Sequence, residues 1–230
     1  KWIHVSNVSA LRERLTKRSQ IKERVAVKLL CVRGRQQEYE DPNTKTRYWS
    51  VSEVLKVLDP KAFEGVDPFV LAAAQTRGTD LHVLFALTML WRIGTGAKPI
   101  IPGGTIGKYY AGIEKFQLRH KPIPIRVEAQ GINDKLKTAG TLDFHGTIDD
   151  EPTEWIIDLK TGPPRAVHSA QLIGGYKRLS GSEKAKRFGS LYIRKDGTYK
   201  LVEHTHSHID WAWFMGGLSV LNGRRYHGIR

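Results

Sequence analysis

The sequence predicts an α/β fold in which a mixed central sheet carries helices on both faces. Three observations predict it. Between residues 67 and 120 the apolar residues recur at helical spacing, and from residue 123 to 160 they alternate with period two. The chain then returns to helix, gives two further strands and closes on a helix, an order that suits layered α/β architecture. Finally, 230 residues with a hydrophobic fraction of 40% are enough to bury a full core.

Taken in order, residues 1–47 read as an N-terminal accessory segment and residues 48–230 as the main domain. Residues 8–18 carry helix formers with a charged face, and the β-branched run at 25–32 reads as a strand. Asp41-Pro42-Asn43 is a turn signal. A helix near Ser52, with Glu53 in its first turn and Val54, Leu55 and Leu58 behind it, ends before Pro60. Asp67-Pro68 is a strong helix start, because a capping carboxylate precedes proline at the first helical position. That helix runs to about Trp91, with a break or a close contact expected at Gly78. Another helix spans roughly 106–120, ended by Pro122. Strands follow at 123–130, 141–148 and 154–160, the last two joined by an acidic turn into a hairpin. A helix over 165–180 precedes strands at 191–194 and 199–203, whose Asp196-Gly197 favours a tight type I′ turn. The final helix, over about 208–221, holds Trp211, Trp213 and Phe214.

Lys and Arg total 37 against 23 Asp and Glu, a formal net charge of +14. Such an excess points to an acidic polymer as partner, since Lys and Arg displace counterions from phosphates; a merely basic soluble protein is the plainer alternative. The basic residues are scattered, which disfavours a membrane surface, and no apolar run reaches the ~20 residues of a membrane span. One cysteine, Cys31, excludes an intrachain disulfide and a cysteine-ligated zinc or iron–sulfur site. It suits a reducing compartment, the cytoplasm if the chain is prokaryotic.

Strand alternation puts Ile156, Asp158 and Lys160 on one face, and Asp143 on a face with Thr141, His145 and Thr147. Leu142, Phe144 and Ile148 would then take the opposite, apolar side. The hairpin brings Asp143 and Asp158 side by side with Lys160. Two adjacent carboxylates repel unless a cation joins them, and Mg²⁺ or Mn²⁺ takes oxygen ligands of this kind. Such an ion activates water and polarises a phosphoryl oxygen, while a lysine balances transition-state charge. The residue types therefore match phosphodiester hydrolysis. An exposed ion pair is the plainer reading of Asp158 and Lys160 taken alone.

Other motifs fall in order around this pair. Gly78-Thr79-Asp80-Leu81-His82 resembles GxxxH, Gly140-Thr141-Leu142-Asp143 resembles GxxD, and Asp158-Leu159-Lys160-Thr161-Gly162 resembles DxKT(G). Together with Glu128, Gln171 and Tyr176 they resemble the RecB-like, phage-type exonucleases of the PD-(D/E)XK superfamily, over about residues 48–221. The resemblance implies a restriction-endonuclease-like core and a metal-dependent deoxyribonuclease, an exonuclease in recombination, repair or replication. It implies Asp143, Asp158, the Leu159 carbonyl and His82 as ligands of Mg²⁺ or Mn²⁺, in a one-ion or a two-ion arrangement. Lys160 would act on the nucleophilic water, Glu128 would order the ion or its water shell, and Gln171 and Tyr176 would contact DNA or position Lys160. Plainer readings make His82 a core histidine, Glu128 a surface strand residue, and Gln171 and Tyr176 packing residues. The family spaces Gln and Tyr four apart; here they are five apart. On a regular α-helix that turns Tyr176 by ~100°.

Arg119, Lys121, Arg165, Lys177 and Arg178 are the phosphate-contact candidates, each of which could instead be a solvated charge. DNA with a free end is the expected partner, alongside a recombination or replication protein. His204, His206 and His208 alternate and could form a second metal site, although exposed residues leading into the last helix suit them better. Trp49, Trp91 and Trp155 could stack on bases, with core packing favoured for at least two. Two further function classes stand beside the nuclease: a nucleic-acid-binding module on a nuclease-like fold, and a recruitment protein using the aromatic last helix. A structure-specific endonuclease is the alternative within the enzyme class.

Overall fold

The computed structural model describes residues 30–32, 38–205 and 207–229. The expected helix over 8–18 and the start of the strand at 25–32 lie outside the described residues. Among the described residues eight strands form one mixed sheet: β1 (Leu30–Val32), β2 (Glu38–Glu40), β3 (Arg47–Ser50), β4 (Ile123–Asn133), β5 (Thr138–Thr147), β6 (Glu154–Lys160), β7 (Arg187–Ile193) and β8 (Tyr199–Glu203). The order is β1-β2-β3-β5-β6-β7-β8, with β4 paired to β5. The β3·β5 and β6·β7 pairs are parallel and the rest antiparallel. Through β3 the short strands β1 and β2 continue the sheet, so Leu30–Val32 and Glu38–Glu40 are joined to it by backbone hydrogen bonds.

The helices are α1 (Val51–Leu58), α2 (Pro68–Arg92), α3 (Gly104–His120), α4 (residues 167–178) and α5 (Ser207–Tyr226). Ser50 caps α1 by accepting from the Ser52 amide at 3.1 Å. Asp67 caps α2 by accepting from the Phe69 and Val70 amides at 2.8 and 3.2 Å, with Pro68 in the first turn where no amide is needed. Helix α2 is continuous over 25 residues, so Gly78 does not break it. What Gly78 provides is proximity: a Cβ there would lie 3.7 Å from the Thr161 hydroxyl at the end of β6.

Each sheet face has its own core. Trp49, Val54, Leu142, Ile156, Leu172 and Phe214 pack with α1, α4 and α5 on one face. Leu81, Phe85, Ile113, Phe116, Phe144, Ile157 and Leu191 pack with α2 and α3 on the other. Leu142 and Phe144 therefore occupy opposite cores, against strict alternation. The pleat is reset between them, at Asp143, which faces a left-handed residue of β4, Glu128 (φ 48°). Strands β4 and β5 are also longer than expected and meet in a hairpin at 134–137, with Lys137 left-handed (φ 52°). At the β7–β8 connection Gly197 alone takes positive φ, and its amide donates to the Arg194 carbonyl at 3.1 Å. That is a type I turn relieved by a left-handed glycine and not the type I′ turn expected, which needs positive φ at both central residues.

Candidate active site

The site lies where the β5–β6 hairpin opens. The antiparallel ladder runs from Thr147↔Glu154 to Phe144↔Ile157 and stops one step before Asp143 and Asp158. In place of the next rung, the Asp143 side chain accepts the Leu159 amide at 2.7 Å. A strand residue's N–H and C=O share one edge, so the Leu159 carbonyl also faces this opening. Strand β6 remains fixed on its other side by β7, which pairs with it as far as Lys160.

Helix α2 brings His82 over the opening. Its Nδ1 lies 3.0 Å from Asp143 Oδ1 and 3.9 Å from Glu128 Oε1. One ligand atom from each of His82, Glu128 and Asp143 falls within 4.8 Å of the others, the one such group of three among the described residues. Glu128 sits opposite Asp143 in the β4–β5 register, and its left-handed backbone interrupts the ladder there. Positive φ costs a non-glycine residue ~1–2 kcal/mol, so the strand carries strain where its carboxylate joins the group.

On the α4 side a second set of contacts forms. Asp158 Oδ2 lies 2.5 Å from Lys160 Nζ, and Lys160 donates to Gln171 Oε1 at 2.8 Å. Gln171 Nε2 lies within donating distance of Asp158 Oδ1 (3.1 Å) and of the Tyr176 hydroxyl (2.8 Å). The five-residue spacing works because α4 is not a regular α-helix: residues 170–175 form a π-turn, and the Tyr176 amide donates back to the Gln171 and Leu172 carbonyls. A π-turn returns to the same face after about five residues, so Gln171 and Tyr176 point together. The ~100° offset expected from an α-helix is absent.

Burial and charge make the site polarised. The Asp143 and Asp158 side chains are nearly enclosed, whereas His82 and Lys160 keep 28% and 20% of their exposure, so the site opens on their side. Burial works against charging His82, yet the Asp143 and Glu128 carboxylates outweigh it and hold its pKa up at about 9. Burial would raise Asp143, but the His82 charge, the Leu159 amide and Lys160 hold it below the usual carboxylate range. Asp158 is pushed up, chiefly by burial and then by Asp143, with Lys160 opposing.

The remaining residues singled out in the sequence lie elsewhere or are engaged. Lys121 pairs with Asp150 (2.7 Å) in the β5–β6 turn, and Arg119 lies two residues before it. Asp150 lies in the turn beyond Thr147, which is itself four strand positions from Asp143, ~13 Å along the sheet, so both basic residues stand at the hairpin's far end. Arg165 pairs with Asp59 (3.0 Å), and Lys177 lies over the Phe188 ring at 5.4 Å. Arg178 stacks on Trp211 at 3.5 Å and donates to the Ile173 carbonyl. His145 is buried and contacts Glu154 at 2.8 Å, and His204 contacts Ser190 at 2.9 Å. Trp49 and Trp155 are core residues. Nothing in the sequence spacing marks Arg77, one turn before Leu81 on α2; its Nε is buried with no hydrogen-bond partner among the described residues.

No family model matches this sequence. No curated protein matches it either. Among solved structures it is similar to the crystal structure of an alkaline exonuclease (LHK-Exo) from Laribacter hongkongensis, with TM-score 0.43 and 12% identity, covering 79% of this chain and 89% of that one. Nothing about individual residues follows from likeness at that level. No helix among the described residues is long and apolar enough to cross a membrane.

Proposed function

We propose that this chain is a metal-dependent deoxyribonuclease that hydrolyses phosphodiester bonds at DNA ends. The observation that supports it best is the convergence of His82, Glu128 and Asp143 within 4.8 Å beside the Asp158–Lys160–Gln171 contacts. The donor set fits a divalent cation. Two carboxylates and an imidazole lie close together in a nearly enclosed site, where a cation relieves their mutual repulsion. His82, Glu128 and Asp143 would hold Mg²⁺ or Mn²⁺, with Asp158 and the Leu159 carbonyl beside them. When bound, that ion polarises a phosphoryl oxygen and lowers the pKa of water.

The chain's own groups supply the rest. Lys160, held between Asp158 and Gln171, presents an ammonium at the open side of the site. There it donates to the attacking water and stabilises the charge that builds on the phosphoryl oxygens. Gln171 fixes both partners: it accepts from Lys160 and donates to Asp158, and the Tyr176 hydroxyl backs it. The net charge of +14 favours a polyanionic substrate. The preference for DNA ends rests on the family resemblance of the motifs.

The test is degradation of end-labelled linear and closed circular DNA, single- and double-stranded, with Mg²⁺, Mn²⁺ or EDTA, by wild type and Lys160→Ala. The expected result is metal-dependent loss of linear DNA only, abolished by the substitution. Cutting of circles would make it an endonuclease. Salt-sensitive binding without metal-dependent cutting of any substrate would overturn the enzyme and leave a binding module.

A further inference from the structure

Beyond β6 the molecule carries two adjoining depressions that the catalytic groups do not use. The first, of about 250 Å³, lies between the loop that follows Lys160 and the ends of β7 and β8; Thr161, Arg194, Lys195 and Lys200 are among its walls, with Tyr109. Among the described residues its lining includes three cations and no carboxylate. The second, of about 610 Å³, is lined by Lys108 and Lys115 of α3 and shares Lys195 with the first; Asp196 is its one acid. Arg77 stands against Tyr109, its guanidinium 5.4 Å from the ring centroid, and its buried Nε has no hydrogen-bond partner among the described residues.

The position matters as much as the charge. Thr161 follows Lys160 directly, and its hydroxyl lies 3.7 Å from where a Cβ on Gly78 would sit. Gly78 is one helical turn before His82, ~6 Å along α2. The first depression therefore begins at the edge of the candidate active site, and the second leads away from it over α3. The exposed side chains of Arg194, Lys195 and Lys200 are long enough to follow a flexible backbone.

We propose that these depressions form a track for the phosphates of a single DNA strand, which runs from the site past the β7–β8 turn and on to α3. This rests on the nuclease reading for its substrate. A row of five cations with one acid, Asp196, binds a polyanion by releasing its counterions, independently of base sequence. Thr161 and the Tyr109 ring provide the hydroxyl and flat apolar surface that line such a groove.

The experiment is fluorescence anisotropy of a labelled single-stranded oligothymidylate in EDTA, so that no cleavage enters, across a salt series. Wild type is compared with Lys195→Ala/Lys200→Ala and with the charge-preserving Lys195→Arg/Lys200→Arg. The alanine pair is expected to bind about tenfold more weakly at low salt, with a log–log salt slope smaller by ~1.4, two contacts at ~0.7 each on single strands. The arginine pair should bind as wild type does. Unchanged affinity and slope in the alanine pair would overturn the track, as would competition by polyglutamate as effective as by unlabelled oligonucleotide. Cleavage by wild type with unaltered binding in the alanine pair removes the track and keeps the nuclease; weakened binding without cleavage by wild type does the reverse.

Discussion

The Leu159 amide donates to the Asp143 carboxylate at 2.7 Å, one step beyond the last rung of the β5–β6 ladder. A side chain completes the pairing that the backbone abandons, and the gap so opened is the one His82 covers from α2. The hydrogen bond also fixes one carboxylate oxygen, leaving the other turned to His82 at 3.0 Å.

That geometry ties cation binding to protons. The His82 pKa is held up at about 9 by the carboxylates it would share with an ion, so an ion must displace its proton. Calorimetry of Mn²⁺ binding at pH 7.5, in buffers of different ionisation enthalpy, should show release of about one proton. Apparent affinity should fall about tenfold per pH unit below pH 9. Binding without proton release would remove His82 from the ligand set.

The Gln171–Tyr176 contact predicts non-additive losses. Gln171→Ala removes the amide donor to Asp158 Oδ1, leaving Lys160 on the other oxygen, and should cost ~1–3 kcal/mol, while Tyr176→Phe removes one hydrogen bond worth ~1 kcal/mol. Chemical denaturation of both single variants and the double variant should give a coupling of ~0.5–2 kcal/mol. Strict additivity would mean that the two side chains act independently.

Glu128 separates strain from chemistry. Glycine accepts its φ of 48° freely and alanine does not. In EDTA, Glu128→Gly should be more stable than Glu128→Ala by about 1 kcal/mol. Both should lose Mn²⁺ affinity to a similar extent, because both lack the carboxylate. Equal melting temperatures would mean that the left-handed geometry is not retained in solution.

Acid should destabilise the fold through His168. Burial, and then the neighbouring charges of Lys160 and Arg165, lower its pKa from 6.5 to about 3, and its Nδ1 lies 2.8 Å from the Tyr192 hydroxyl. The unfolded chain takes up a proton near pH 6.5 that the native state refuses until about pH 3. This stability is therefore full above pH 6.5 and lost as pH falls, about 2 kcal/mol of it by pH 5. Urea unfolding of wild type and His168→Gln at pH 7 and 5 reads the difference; the variant should lose about that much less. His145 and His204 are shifted the same way and remain in both proteins.

Most elements could be read from the chain because their signals are local: Asp67-Pro68 caps α2, and the alternation of 154–160 gives β6. The proximity of Asp143, Asp158 and Lys160 could be read because a hairpin fixes its own register. The π-turn was not, since Gln171 to Tyr176 looks like an ordinary helix whose period is off by one. That turn packs closely against α5, a non-local contact. Glu128 gave no hint of positive φ, because alternation along a strand carries no signal for a left-handed residue within it. Arg194, Lys195 and Lys200 flank a turn that scans as a plain hairpin, and only the sheet shows which cavity they share.

Gly174 has consequences well downstream of its place in the chain. A Cβ there would lie 2.2 Å from Phe214 Cβ, and one on Gly175 would lie 2.6 Å from Val51. The widened turn is thus braced from behind by a helix that begins some thirty residues later and by the first turn of α1. During synthesis Gln171 emerges well before Phe214, so its face has no backing until the last helix arrives. The backing of the polar cluster is therefore complete only once α5 has been made.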